Sequence, residues 1–165
     1  MLDIMKKILV FLILMLAFGW QIVNAQDAPI KIVTGHPDLK VKVNRCEASG
    51  NIVIIDMTFT NLNEKDAEGI TGPTMYSGNV YEPLAFDNQG NKYSIKFKVS
   101  NQDNYSVSGI IPLFSEVPVK VSLRIEGVPE SSEYIARLNL NFACKALGLE
   151  TTNIMQIRNI PITRD

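Results

Sequence analysis

Apolar and polar positions alternate with a period of two over most of this chain, and no stretch of ten or more residues holds a 3.6-residue apolar period. The most strongly patterned segment is Asn51-Ile-Val-Ile-Ile-Asp-Met-Thr-Phe-Thr-Asn61. Its β-branched run, closed at each end by Gly and Asn turn residues, predicts a central strand. Val53, Ile55, Met57 and Phe59 share one face. Ile52 and Ile54 on the other predict a covered first half, and Asp56, Thr58 and Thr60 a second half open to solvent.

The flanking segments follow the same rule. Ile30–Val33 predicts a short edge strand, and Leu39–Arg45 a half-buried one. Cys46–Gly50 is read as the turn into the central strand. The polar, glycine-rich stretch from Asn63 to Gly78 is read as a long loop with one short strand near Glu68–Thr71. A hairpin follows: Val80–Phe86, the turn Asp87-Asn-Gln-Gly-Asn91, and Lys92–Val99. Pro83 marks its first strand as an edge or as broken there. Ser100–Ser108 is a polar loop. Further strands are predicted over Val117–Glu126, Tyr134–Cys144 and Ile154–Ile162, with one helical turn near Ala146-Leu147. Seven to eight short strands with regular turn signals predict an all-β protein, an immunoglobulin-like antiparallel β-sandwich. Trp20 is the only tryptophan, so the core tryptophan of antibody domains has no counterpart between the cysteines.

The N-terminus breaks the pattern. Lys6 and Lys7 precede an apolar run from Ile8 to Trp20, and Val23-Asn24-Ala25 offers a small-residue cleavage site. This is the form of a secretory signal peptide spanning 1–25. The run is shorter than the about 20 residues a membrane span needs. A start at Met5, giving Met5-Lys6-Lys7, would make the more ordinary leader, so Met1 and Met5 are both candidate initiators. Gln26 follows the cleavage point where a lipoprotein would need cysteine. The expectation is therefore an exported chain, periplasmic or extracellular, without a membrane anchor after cleavage. It would comprise a leading segment, 26–38, and one β-sandwich domain, 39–165.

Charge narrows the partners. The chain has 16 Lys and Arg against 17 Asp and Glu, and beyond residue 25 the counts are 14 and 16. With no basic run, nucleic acid is not an expected partner. Three segments, taken in order, carry a resemblance. Ile54–Asn61, then Ala85-Phe-Asp-Asn-Gln-Gly-Asn-Lys-Tyr93, then Val117-Pro-Val-Lys-Val-Ser-Leu-Arg-Ile-Glu-Gly-Val-Pro129 resemble small exported immunoglobulin-like β-sandwich proteins of unknown function from gut Gram-negative bacteria. The resemblance covers about Leu39 to Ile162. It implies a fold and transfers no catalytic residue.

Candidate chemistry is sparse. His36 is the only histidine, which rules out a site built on several imidazoles. Beside Pro37 in the leading segment, it is more simply a solvated loop residue than a catalytic base. The Asp87–Asn91 turn gathers side-chain oxygens but lacks the spacing of a calcium loop. Catalytic residues, cofactors and metals are therefore not expected. Cys46 and Cys144 form a disulfide or remain two buried thiols. A bridge would close a loop of about 100 residues, worth about 4 kcal/mol in the chain-entropy account. Strict alternation puts Cys46 on the polar side of its strand, and a bulge or a strand end near Arg45 would repair the phase. Tyr76, Tyr81 and Tyr105, in or beside glycine-rich loops, are the candidate binding residues. The functional expectation is a non-enzymatic binding domain for another envelope or extracellular protein, or alternatively a carbohydrate-binding module.

Overall fold

The structure is a computed structural model describing residues 28–76, 79–100, 102–149 and 154–164, with side chains outside 74–81. The predicted signal peptide lies outside the described residues. The chain is all-β, with no α-helix among the described residues. Its strands are β1 (Lys31–Val33), β2 (Leu39–Ser49), β3 (Ile52–Asn61), β4 (Ala67–Thr71), β5 (Thr74–Tyr76), β6 (Asn79–Tyr81) and β7 (Leu84–Asp87). Then come β8 (Lys92–Val99), β9 (Gly109–Leu113), β10 (Val119–Glu126) and β11 (Tyr134–Ala143). A 3-10 turn at Lys145–Leu147 follows, and β12 (Ile154–Pro161) and β13 (Thr163–Arg164) complete the chain.

Eleven of these strands form one curled sheet, a half-barrel, with the path β1-β12-β11-β7-β8-β10-β3-β2-β13. The β4–β9 pair branches from β11, and β5–β6 is a separate ribbon. All pairings are antiparallel except β13, which runs parallel to β2. The strand count therefore exceeds the seven to eight expected. The curl arises where one strand serves two neighbours. Lys92–Ser94 of β8 pairs with β7, whereas Ile95–Val99 pairs with β10. A strand that changes partner along its length turns a sheet corner.

Alternation places the core on the concave side. Val53, Ile55, Met57 and Phe59 of β3 meet Val121, Leu123 and Ile125 of β10, Ile95 and Phe97 of β8, and Ile135, Leu138, Leu140 and Phe142 of β11 in one buried cluster. The rings of Phe59 and Phe142, with centroids 5.9 Å apart, tie β3 to β11 across it. Of the bulge and the strand end posed near Arg45, the bulge is present. Register slips between Val43 and Arg45, so that Cys46 and Ala48 turn inward and β2 continues to Ser49 rather than ending in a turn. The turn itself is the two-residue Gly50-Asn51, with Gly50 at φ 58°. Pro83 does break the hairpin's first arm, separating β6 from β7.

One expectation about β3 is corrected. Its outer positions from Ile52 to Thr60 are all half-buried, so covering does not stop at Asp56. Ile54 lies between Glu47 and Arg124 in register, and long charged side chains cover apolar surface with their stems.

Candidate functional site

The β4–β9 ribbon stands away from the main sheet and makes a concave surface. It joins β11 only through Ile70 and Thr71, opposite Ala143 and Phe142. Gly69 makes the approach workable, because a Cβ there would lie 2.3 Å from the Phe142 ring. Alternation then divides the ribbon. Gly69, Thr71, Ile111 and Leu113 point into the core, while Glu68, Ile70, Ile110 and Pro112 face outward. Ile70 and Ile110 are register partners and each is 55% exposed; Phe114, just beyond β9, is 51% exposed. For side chains of this size such exposure leaves a contiguous apolar surface rather than a scatter of single residues.

The facing wall is the segment around the 3-10 turn. Cys144 and Leu149 exchange backbone hydrogen bonds of 2.8 and 3.0 Å, which pinches the segment into a tight loop. Gly148, at φ 65°, ends the turn by donating its N–H to the Lys145 carbonyl. Between the walls lies an open groove of about 1000 Å³, lined by Ile70, Pro112, Phe114, Ala143, Ala146 and Leu149 among others. Asp66 and Glu68 stand along the ribbon side, and Lys145 on the turn side.

One end of the ribbon is held by a buried amide. Asn61, fully inaccessible, donates through Nδ2 to the Lys65 carbonyl (2.8 Å) and the Leu113 carbonyl (3.0 Å), and its Oδ1 accepts from the Asn63 N–H. The Ser115 N–H donates to Asp66 Oδ1 at 2.8 Å. These bonds fix both strands at the Ala67/Leu113 end of the ribbon, so that end of the wall does not depend on its exposed side chains. Pro112 lies in β9, whose one strand partner among the described residues is β4, and a proline in such a strand discourages another from adding. The groove therefore offers side-chain contact rather than backbone pairing.

The residues singled out from the sequence lie elsewhere. Tyr76 and Tyr81 are on β5 and β6, with side chains outside those described. Tyr105 lies half-buried against its own sheet, with Lys98 Nζ 6.0 Å and Arg124 Cζ 5.9 Å from its ring centroid. Burial first, and then the neighbouring Asp56 carboxylate, raise its phenol above the ordinary range. It is occupied within the fold and does not join the groove. Cys46 and Cys144 are both buried and free, the second of the two alternatives posed for them. Cys46 sits opposite Ile55 on β3, while Cys144 is fixed at the far end of β11 by Leu149. Burial pushes the Cys46 thiol up to about 12, against a smaller opposing pull from Arg164.

Asp87 has a structural use. Oδ1 accepts from the N–H groups of Gln89 (3.0 Å) and Asn91 (2.9 Å). Oδ2 accepts from Asn91 Nδ2 (2.9 Å), the Tyr93 hydroxyl (2.7 Å) and the Ser132 hydroxyl (2.6 Å). Burial would raise this carboxyl, but the donors from Ser132, Asn91 and Tyr93 outweigh it and hold Asp87 well below the usual carboxylate range. Its lone pairs are taken by the turn itself. Among the described residues no group of three or more His, Cys, Asp and Glu could hold a metal ion. His36 hydrogen-bonds only locally: its Nδ1 accepts from the Asp38 N–H, and its carbonyl from Thr34 and Leu39. Asp56 accepts 2.6 Å bonds from Arg45 and Ser122 on the outer face of β3.

A scan against protein-family models finds none that matches this chain, and a search of curated proteins finds no significant match.

Proposed function

We propose that the chain is an exported, non-enzymatic binding domain that docks a partner protein in the groove between the β4–β9 ribbon and the 143–149 segment. The observation that carries this reading is exposed Ile70 and Phe114 with Pro112 on the groove wall, continued outward by exposed Ile110, on a ribbon whose backbone is tied at one end by Asn61. Apolar side chains held rigidly over a concave surface lose little entropy on contact, and an apolar centre with a charged rim is the usual anatomy of a protein interface. Export rests on the Lys6-Lys7 and Ile8–Trp20 pattern with Ala25 before the cut. An immunoglobulin-like sandwich is the finer reading of the fold. The strand group β1-β12-β11-β7 packing against β8-β10-β3-β2 around one core supports it.

A photocrosslinking residue placed at Phe114 in the intact chain tests the assignment in the native host. The expected result is one reproducible protein adduct, lost when Ile70→Asp is added and not formed from the same probe at Tyr134. Equal adducts from both positions would remove the groove from the proposal.

A further inference from the structure

The outer face of β2-β3-β10-β8 carries an excess of positive charge that the fold does not neutralise. Its acidic side chains are already engaged. Arg45 pairs with Asp56 (2.6 Å) and Glu47 (3.1 Å), and Glu126 accepts from Arg124 (2.8 Å) and Lys96 (3.3 Å). Lys40, Lys42, Lys98 and Lys120 have no ion-pair partner among the described residues. Register gathers these four at one end. Lys42 and Lys120 flank Thr58 in a single row, Lys40 pairs with Thr60, and Lys98 is opposite Ser122 in the next row. Lys42 and Lys120 are two strand spacings apart, about 10 Å, and Lys40 lies about 7 Å from Lys42 along its strand. Protection of a free sheet edge accounts for Lys40 and Lys42 on β2, but Lys120 is on β10, an inner strand.

We propose that this lysine end of the sheet binds an acidic polysaccharide. A net negative chain that concentrates unpaired cations on one flat face presents a field for a linear polyanion. The side chains between the lysines choose among polyanions. Thr58, Thr60 and Asn44 are polar and short, and Asn44 Nδ2 donates to Thr58 Oγ1 at 2.7 Å. Hydroxyl and amide groups among cations match a hydroxylated, charged chain. No aromatic ring stands free at this end for base stacking, since Tyr105 lies against Lys98 and Arg124, and the outward positions of the strands here carry no large apolar side chain, with Leu62 and Val117 exposed only just beyond them.

The purified chain is tested on immobilised polygalacturonate and heparin, with neutral dextran, duplex DNA and anionic phosphatidylglycerol vesicles alongside. At about 50 mM salt both acidic glycans bind and dextran does not, and binding is lost by about 500 mM as screening lengths shorten. Lys42→Glu/Lys120→Glu weakens glycan binding about tenfold, and the charge-removing pair Lys42→Thr/Lys120→Thr by less, both with unchanged melting curves. Lys145→Glu, on the groove, leaves it unchanged. Wild-type affinity in both double variants would overturn the proposal, as would tighter binding to DNA or vesicles than to either glycan.

Discussion

Removing the Asp87 carboxylate perturbs one connection between the β7–β8 turn and the turn before β11. Asp87 is 2% exposed and accepts five hydrogen bonds, two from the backbone of its own turn and three from side chains, including Ser132 across the core's edge. A hydrogen bond to a charged acceptor is worth about 1.5–3 kcal/mol net, and a buried donor left without a partner costs about 1–3 kcal/mol. In Asp87→Ala the Ser132 hydroxyl, which is buried, and the half-buried Tyr93 hydroxyl both lose their acceptor. A destabilisation of about 4 kcal/mol follows, or roughly a 10 °C fall in Tm for a domain of this size. Asp87→Asn keeps the shape but turns an amide donor toward three donors, so it recovers little. Urea unfolding followed by circular dichroism measures both. The pH dependence gives the sign. The folded-state pKa is depressed, so the carboxylate's contribution is complete above the unfolded value near 3.9 and is lost as pH falls below about 4. The gap between wild type and Asp87→Asn is therefore full at pH 7 and narrows in acid. A gap under about 0.5 kcal/mol at pH 7, or one that widens in acid, refutes the reasoning.

Other consequences can be checked with the same purified chain. Gly69→Ala puts a methyl group into the Phe142 ring and should cost about 1–3 kcal/mol in chemical denaturation. Asn61→Asp replaces the donor to the Lys65 and Leu113 carbonyls with an acceptor. It should lower Tm and increase proteolysis within 62–66. Cys46 and Cys144 should resist a thiol reagent in the native chain and both react after unfolding, with no mass change on reduction. Burial and the Asp87 bond push the Tyr93 phenol up to about 12, so its stabilisation is full below pH about 10 and fades above. Tyr93→Phe should flatten the alkaline limb of the stability curve.

Most strands were legible because one face of each is buried and the other wet, as in β8 and β10. The break in phase at Arg45 was legible for the same reason, although alternation alone left a bulge and a strand end as equal ways to bury Cys46, and the structure has the bulge. The groove was not, because β9 breaks the rule that reveals the others. Gly109-Ile-Ile-Pro-Leu-Phe114 is apolar on both faces: Ile111 and Leu113 fill the core, while Ile110 is exposed and Pro112 and Phe114 line the groove. A two-faced apolar run containing proline, lying between polar loops, was the available signal. The tyrosines misdirected attention because residue type does not report orientation. Tyr105 uses its ring to cover its own sheet, between two cations. The partner switch in β8, which curls the sheet, depends on which strands lie beside it and leaves no mark in its own alternation.

The most direct measurement is the affinity of the partner captured at Phe114 for two variants of the intact chain, by titration calorimetry. Ile70→Ser/Phe114→Ser removes the apolar centre of the groove, and Lys42→Thr/Lys120→Thr alters the opposite surface chemistry. The account predicts an affinity loss of about 30-fold or more for the first, as expected for the centre of an interface, with Tm nearly unchanged. It predicts wild-type affinity for the second. Unchanged affinity in the groove variant, with the fold intact, would contradict it.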